Sequence, residues 1–385
     1  MTLSRFIPCK ITENTSIWLD WARAIAALIV LSGHCRSICF LNYSSGGTGG
    51  NFLFFPFYYI TGFGHQAVVV FFVMSGYLVG GSVLKELIER DRIQFGRYAI
   101  SRIVRIHSVL VPALLLGGMF DFLGIHWLQV NDIYAHSHYK YVLSWNVVEH
   151  LNVVTFLGNL ACLHTIFVGV FGSNGPLWSL AIEFWFYFLF PSILISVWKE
   201  RSLPTRLLSI CTSILLFCLL GGELLWFPIW LAGVGIRLLP SKFTIKRPIS
   251  LSIFLAALFA IKSPLSGHFG LELFSDYILT LGFCFVLHSF THEPPSIGIS
   301  ASIWGKRCAG FSYTLYACHF PLLVFFAALI NSCLDVDLPQ AATKFMTWVY
   351  YISMLGVAIV CCWGLSFATE KKYHRLRNWL VLHLT

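Results

Sequence analysis

Charge is what this chain has least of. Only 11% of its 385 residues are Asp, Glu, Lys or Arg, whereas 57% are hydrophobic and Phe alone contributes 35. So little polar surface cannot solvate a globular exterior, and lipid has to be the solvent. Other absences narrow the chemistry. The twelve cysteines are scattered singly through apolar runs, and the pairs Cys35/Cys39 and Cys361/Cys362 lack the spacing of a zinc or redox motif, so they read as small hydrophobes. No His/Glu grouping has the HExxH order, and no metal is expected. The run SSGGTGG at 44–50 is Gly-rich but lacks the Lys-Ser/Thr and following helix of a phosphate-binding loop; it is expected to be a flexible external loop. A polar start over 1–16, followed by an apolar run carrying Asp20 and Arg23, does not resemble a cleavable signal peptide. There is no internal repeat, no low-complexity tail and no second soluble domain.

What is there is a series of apolar runs long enough to span lipid, which takes roughly 20 residues each. They lie near 17–40, 66–83, 103–120, 176–198, 206–221, 223–239, 249–263, 270–290, 312–332 and 346–368. The net charge of +9 is informative through where the basic residues fall. With a cytoplasmic start, 21 of the 26 Lys and Arg residues fall on inside segments. Outside there are only Arg36, Lys140, Lys262 and Lys344, the bias that sets membrane orientation. The expected fold is therefore an all-α integral membrane protein, a polytopic bundle of about ten transmembrane helices with both termini cytoplasmic. It divides into a cytoplasmic tail over 1–16, a transmembrane domain over 17–370 with an external loop at 121–175, and a basic cytoplasmic tail over 371–385. Within that loop the apolar stretch 153–170, which contains Asn159 and His164, is expected to lie along the outer interface or dip in as a re-entrant segment.

Ionisable side chains inside such a bundle cost on the order of 2.5–3.5 kcal/mol each on insertion scales, so those that persist need a partner or a task. The first span carries Arg23 and His34 eleven positions apart, which places both on one helical face, roughly 16 Å apart along the axis. Glu183, on an inward-running helix, falls at nearly the depth of His34, where it could fix the imidazole tautomer and stabilise the imidazolium. Arg97, Arg102 and Arg105 form a basic edge suited to gripping phosphates, and His319 is expected about 10 Å in from the cytoplasmic side. Blander readings stand beside each: arginines that snorkel or anchor the positive side, a packing histidine, a glutamate bonded to Trp178 or Ser179.

Six blocks in one order carry a resemblance. They are LDWARAIAALIVLSGH (19–34), AVVVFFVMSGYLV (67–79), SRIVRIHSV (101–109), GPLWSLAIEFWFYFLFP (175–191), FPIWLAGVGIRLLP (227–240) and SYTLYACHFPLL (312–323). Together they resemble membrane-bound acyltransferase family 3, whose LDGLRAIAALLVVLFH block keeps the same Arg-to-His spacing as Arg23 and His34. The chain departs from that pattern at Ala67 and Val68, at His107 and Ser108, and at Lys371 and Lys372 after Glu370.

The resemblance implies a bacterial inner-membrane, multi-pass O-acyltransferase. It takes an acyl group, expected to be acetyl, from acyl-coenzyme A on the cytoplasmic side. The acceptor is a hydroxyl of a glycan or lipid-linked saccharide such as lipopolysaccharide, exopolysaccharide, peptidoglycan or a lipo-oligosaccharide. Membrane lipid is the other partner, and no nucleic acid is involved. His34 is then the general base, Glu183 its orienting group, and Arg23, Arg102 and Arg105 the phosphate ligands. Ser75 donates to the thioester oxygen, and His319 lines the donor site. Transfer is either direct or through a transient acyl-histidine. The rival from another class is a transporter using Arg23, His34 and Glu183 as a proton or anion relay, against which the absence of inverted-repeat halves speaks. A structural membrane subunit is the third reading.

Overall fold

In the computed structural model, the residues described are 9–43, 47–90, 93–135, 143–261 and 272–384. Arg5, Arg92, Lys140, Lys262, His136, His138 and part of the 44–50 run lie outside them. Among the described residues there are helices and no strands, only two isolated bridges. Eight helical stretches are long and apolar enough to cross a membrane. One of these, Leu203–Leu238, is two helices in sequence. Gly221 takes φ +49°, a left-handed conformation open to glycine, and a short 3-10 turn separates helix Leu203–Leu220 from helix Phe227–Leu238. Counting both, and adding the shorter apolar helix Arg247–Ile261, recovers the ten runs read from the sequence.

Besides a hydrophobic core, the helices expose many large apolar side chains, unlike those of a water-soluble protein. Leu207, Leu208, Ile214 and Leu215 are exposed on helix Leu203–Leu220, whereas Ser213 is buried there; Phe259, Ile352 and Val360 are likewise exposed. Apolar side chains turned outward with polar ones inside are what a lipid solvent selects. The apolar stretch at 153–170 holds one eight-residue helix, Val153–Leu160, too short to span. Asn152 caps it by accepting from the Thr155 amide at 2.9 Å, and Val153, Val154 and Leu157 are exposed. Beyond it, buried His164 donates from Nε2 to the Leu177 carbonyl at 2.7 Å. Burial pulls its pKa down to about 4, so this ring is neutral.

The helices fall into two compact units. One comprises Met1–Arg23, Val68–Ala99 and Ile182–Cys308; the other comprises Ala24–Ala67, Ile100–Ala181 and Ala309–Thr385. In the first unit, glycines let two backbones touch. A Cβ on Gly76 would collide with the Trp230 carbonyl, and one on Gly233 with the Val73 carbonyl. The first of these contacts falls where the chain takes a π-helical turn, Gly76–Gly80. Close approach over small residues is the usual way membrane helices gain packing energy, because lipid tails supply no hydrophobic drive between them.

Prolines inside two helices create hydrogen-bonding vacancies that other residues fill. Lacking an N–H, Pro191 leaves the Tyr187 carbonyl without its helical donor, and the Tyr98 hydroxyl donates to it at 2.8 Å. In the second unit Pro321 does the same to Ala317, whose carbonyl accepts from Asn174 Nδ2 at 3.1 Å.

Gly233→Val is expected to destabilise the protein by about 1–3 kcal/mol or more, because backbone cannot move aside for the added carbons. Gly235→Ala, with open space around it, is expected to be neutral. Melting temperature in detergent separates the two, and equal values would contradict this packing.

Candidate active site

The second unit brings His34 and His319 together. His34 Nδ1 lies 2.8 Å from His319 Nε2, with ring planes 9° apart. His319 Nδ1 lies 2.8 Å from the Leu315 carbonyl, one turn back on its own helix. Those two distances fix the tautomers. A carbonyl only accepts, so Nδ1 of His319 carries the proton, and the neutral ring then presents a lone pair at Nε2. His34 must therefore donate from Nδ1, which leaves its Nε2 unprotonated. That nitrogen has no hydrogen-bond partner among the described residues. His34 is half-buried and His319 fully buried.

Within this unit the hydrogen-bond partner of His34 is His319. The helix that carries His319 spans Ile299–Leu334 instead of beginning near 312, because 299–311, although it carries Lys306 and Arg307, is helical and continuous with the apolar run.

Arg105, in the same unit, has its guanidinium carbon 5.2 Å from the Tyr313 ring centre and 5.4 Å from that of Tyr373. Two aromatic faces hold the cation while leaving its edges to bond an oxyanion. Arg102 precedes it by one turn on helix Phe95–His126. The segments that carry these tyrosines are joined by Glu370. Glu370 Oε1 accepts from the Thr314 amide at 2.8 Å and from Thr314 Oγ1 at 2.9 Å, and all three of Thr314, Thr369 and Glu370 are buried. Glu370 thus ties residue 314, beside Tyr313 and five before His319, to the segment that carries Tyr373. Near it, Tyr316 donates to the Pro176 carbonyl at 2.9 Å and pairs with Ser179 Oγ at 2.6 Å, fastening the GPLWS block to the His319 helix.

Ser75, Glu183 and Arg23 belong to the first unit. Trp230 Nε1 donates to Ser75 Oγ at 3.1 Å, Ser75 Oγ is 3.4 Å from the Tyr187 hydroxyl, and that hydroxyl donates to Glu183 Oε1 at 2.7 Å. Because the tyrosine proton goes to the carboxylate, the Ser75 proton points at Tyr187. In this arrangement Ser75 is a link in a hydrogen-bonded relay ending on Glu183. Arg23 is bonded to Asp20 one turn earlier at 3.0 Å. The sequence reading noted Asp20 only as a polar residue; its i, i+3 spacing to Arg23 was the available signal. No group of three or more His, Cys, Asp or Glu side chains that could hold a metal ion occurs among the described residues.

A family model described as an acyltransferase domain matches residues 16–367. The chain therefore belongs to acyltransferase family 3, and with its apolar helices it is a multi-pass membrane acyltransferase. It is 24% identical over 320 residues to an O-acetyl transferase of Shigella phage Sf6, a match covering 79% of this chain and 83% of that protein. It is also 27% identical over 216 residues to the peptidoglycan O-acetyltransferase OatA of Listeria monocytogenes, covering 54% of this chain but only 29% of that longer protein. No solved structure matches it.

His319→Ala removes the acceptor for His34 Nδ1–H and so the constraint on its tautomer. Turnover is expected to fall about 100-fold with little change in KM. Initial rates at matched amounts of folded protein check this; an unchanged kcat would contradict it.

Proposed function

We propose that this protein is an O-acetyltransferase that moves an acetyl group from acetyl-coenzyme A, bound from the cytoplasmic side, to a hydroxyl of a cell-surface or secreted glycan at the inner membrane. The observation that carries the reading is the run of two 2.8 Å contacts from His34 Nδ1 through His319 to the Leu315 carbonyl, which leaves His34 Nε2 as the basic nitrogen. The names of the two relatives, both O-acetyltransferases, support the acyl group and the oxygen acceptor. Glycan acceptors such as lipopolysaccharide, exopolysaccharide or a lipo-oligosaccharide follow from the family resemblance, and the peptidoglycan relative speaks for a saccharide. The basic residues on inside segments support a cytoplasmic start and end, with tails over 1–16 and 371–385 flanking the transmembrane domain.

In the proposed step, His34 Nε2 takes the proton of the acceptor hydroxyl as its oxygen attacks the thioester carbonyl. The C–S bond breaks, the ester forms, and the proton returns from His34 to the departing thiolate. His319 is a positioning residue that holds the His34 ring and shares the imidazolium charge through the Nδ1 bond. Arg105, stacked between Tyr313 and Tyr373, and neighbouring Arg102 are the proposed phosphate ligands of the donor. Arg23, Ser75 and Glu183 are proposed as donor-side and orienting residues on the sequence pattern. Direct transfer needs no further group; an acyl-imidazole on His34 Nε2 is the two-step version of the same chemistry.

Membranes containing the wild-type chain are expected to move radiolabel from acetyl-coenzyme A into glycan, and membranes containing His34→Ala at matched expression are expected not to. Equal label in both would remove His34 from the chemistry. Absence of label in both, with a panel of glycan acceptors, would favour a transporter.

A further inference from the structure

Arg237 is a buried cation that the proposed mechanism does not use. It sits in the last turn of helix Phe227–Leu238 and is only 6% exposed. Its guanidinium carbon is 4.9 Å from the centre of the Tyr77 ring, and Tyr77 Oη is 3.1 Å from Thr291 Oγ1. Gly81 makes room for it: a Cβ there would press on Arg237 Cγ, Cδ and Nε. Yet Nε and Nη1 have no hydrogen-bond partner, and no carboxylate among the described residues lies within ion-pair distance. A helix C-terminus and an aromatic face both favour a positive charge, and the Tyr77 hydroxyl also faces the guanidinium, but Nε and Nη1 remain without an acceptor. Leaving a buried charged donor unsatisfied is costly, so the site as built calls for an anionic acceptor.

Its surroundings select the class of anion. Lys242, Lys246 and Arg247 follow within ten residues in the same unit, a run of positive charge that suits an anionic ligand. His288, 5% exposed with Nε2 unpartnered, has its ring centre 4.5 Å from that of His292 with the two planes inclined by 58°, and His292 bonds the Leu239 carbonyl just past the helix end.

We infer that Arg237 anchors a phosphate-binding subsite, closed on one side by Tyr77 and Thr291. Two sources present that chemistry: the phosphates of the nucleotide part of the donor, which rests on the coenzyme A reading above, and the headgroup of an anionic phospholipid, which does not.

The test reads binding and not turnover. Purified protein in a neutral detergent is melted alone, with adenosine 3′,5′-bisphosphate, and with phosphatidylglycerol against phosphatidylcholine, for wild type and Arg237→Gln. The expected result is that one of the two phosphate probes raises the wild-type melting temperature and that Arg237→Gln reduces the apparent affinity for that probe at least 10-fold. A response to the bisphosphate assigns the donor, and a response to phosphatidylglycerol alone assigns a lipid and leaves the acetyl-transfer reading untouched. Equal affinity in wild type and variant, or no response of wild type to either probe, overturns the inference. Should Arg237→Gln fail to fold, Arg237→Lys replaces it; the point charge on a shorter reach is expected to weaken the same probe several-fold, and unchanged affinity overturns the inference equally.

Discussion

One backbone carbonyl sets the chemistry of the second unit. Leu315 C=O accepts from His319 Nδ1, so His319 can only accept at Nε2, so His34 can only donate at Nδ1, and the lone pair that could do acid–base work is left on His34 Nε2. Nothing in that chain of reasoning requires a charged residue. In a lipid-solvated bundle this matters, because a buried carboxylate would carry a desolvation cost that a neutral imidazole and a helix carbonyl do not.

The rest of the unit holds that carbonyl and that ring in place. Pro321 lies inside the helix two residues after His319, and Asn174 meets the Ala317 carbonyl that its missing N–H leaves open. Tyr316 fastens the segment before helix Trp178–Val197 to the same turn. Glu370 grips residue 314, which ties His319 and the Tyr313/Tyr373 cradle of Arg105 into one rigid stretch. The first unit uses the same device at Pro191, with Tyr98 closing the vacancy beside the tyrosine that bonds Glu183. The family membership and the helix content describe a scaffold; these side-chain bonds to proline-freed carbonyls and diverted amides give the scaffold its fixed side-chain geometry.

Spans were readable from the sequence because hydropathy and the Lys/Arg bias are one-dimensional signals, and all ten runs correspond to helices. What the sequence could not supply was lateral position. Depth alone suggests Glu183 as a partner for His34, whereas the 2.8 Å contact with His319 has no signal in the order of residues. The helix that carries His319 begins at Ile299, where helicity starts, and not near 312, where hydropathy rises. Nothing in the order of residues reveals that Tyr187 and Trp230 converge on Ser75. Asp20 beside Arg23 and Glu370 beside Thr369 were legible as local spacing, and only their partners made them informative.

The central claim is a statement about two protons, and histidine-selective nitrogen NMR of the protein in detergent or nanodiscs reads it directly, with His34→Gln and His319→Gln samples to assign the signals. The account predicts that near neutral pH both rings are protonated at Nδ1 and that His34 Nε2 carries the shift of an unprotonated nitrogen. A His34 ring protonated at Nε2 with a bare Nδ1 would contradict it.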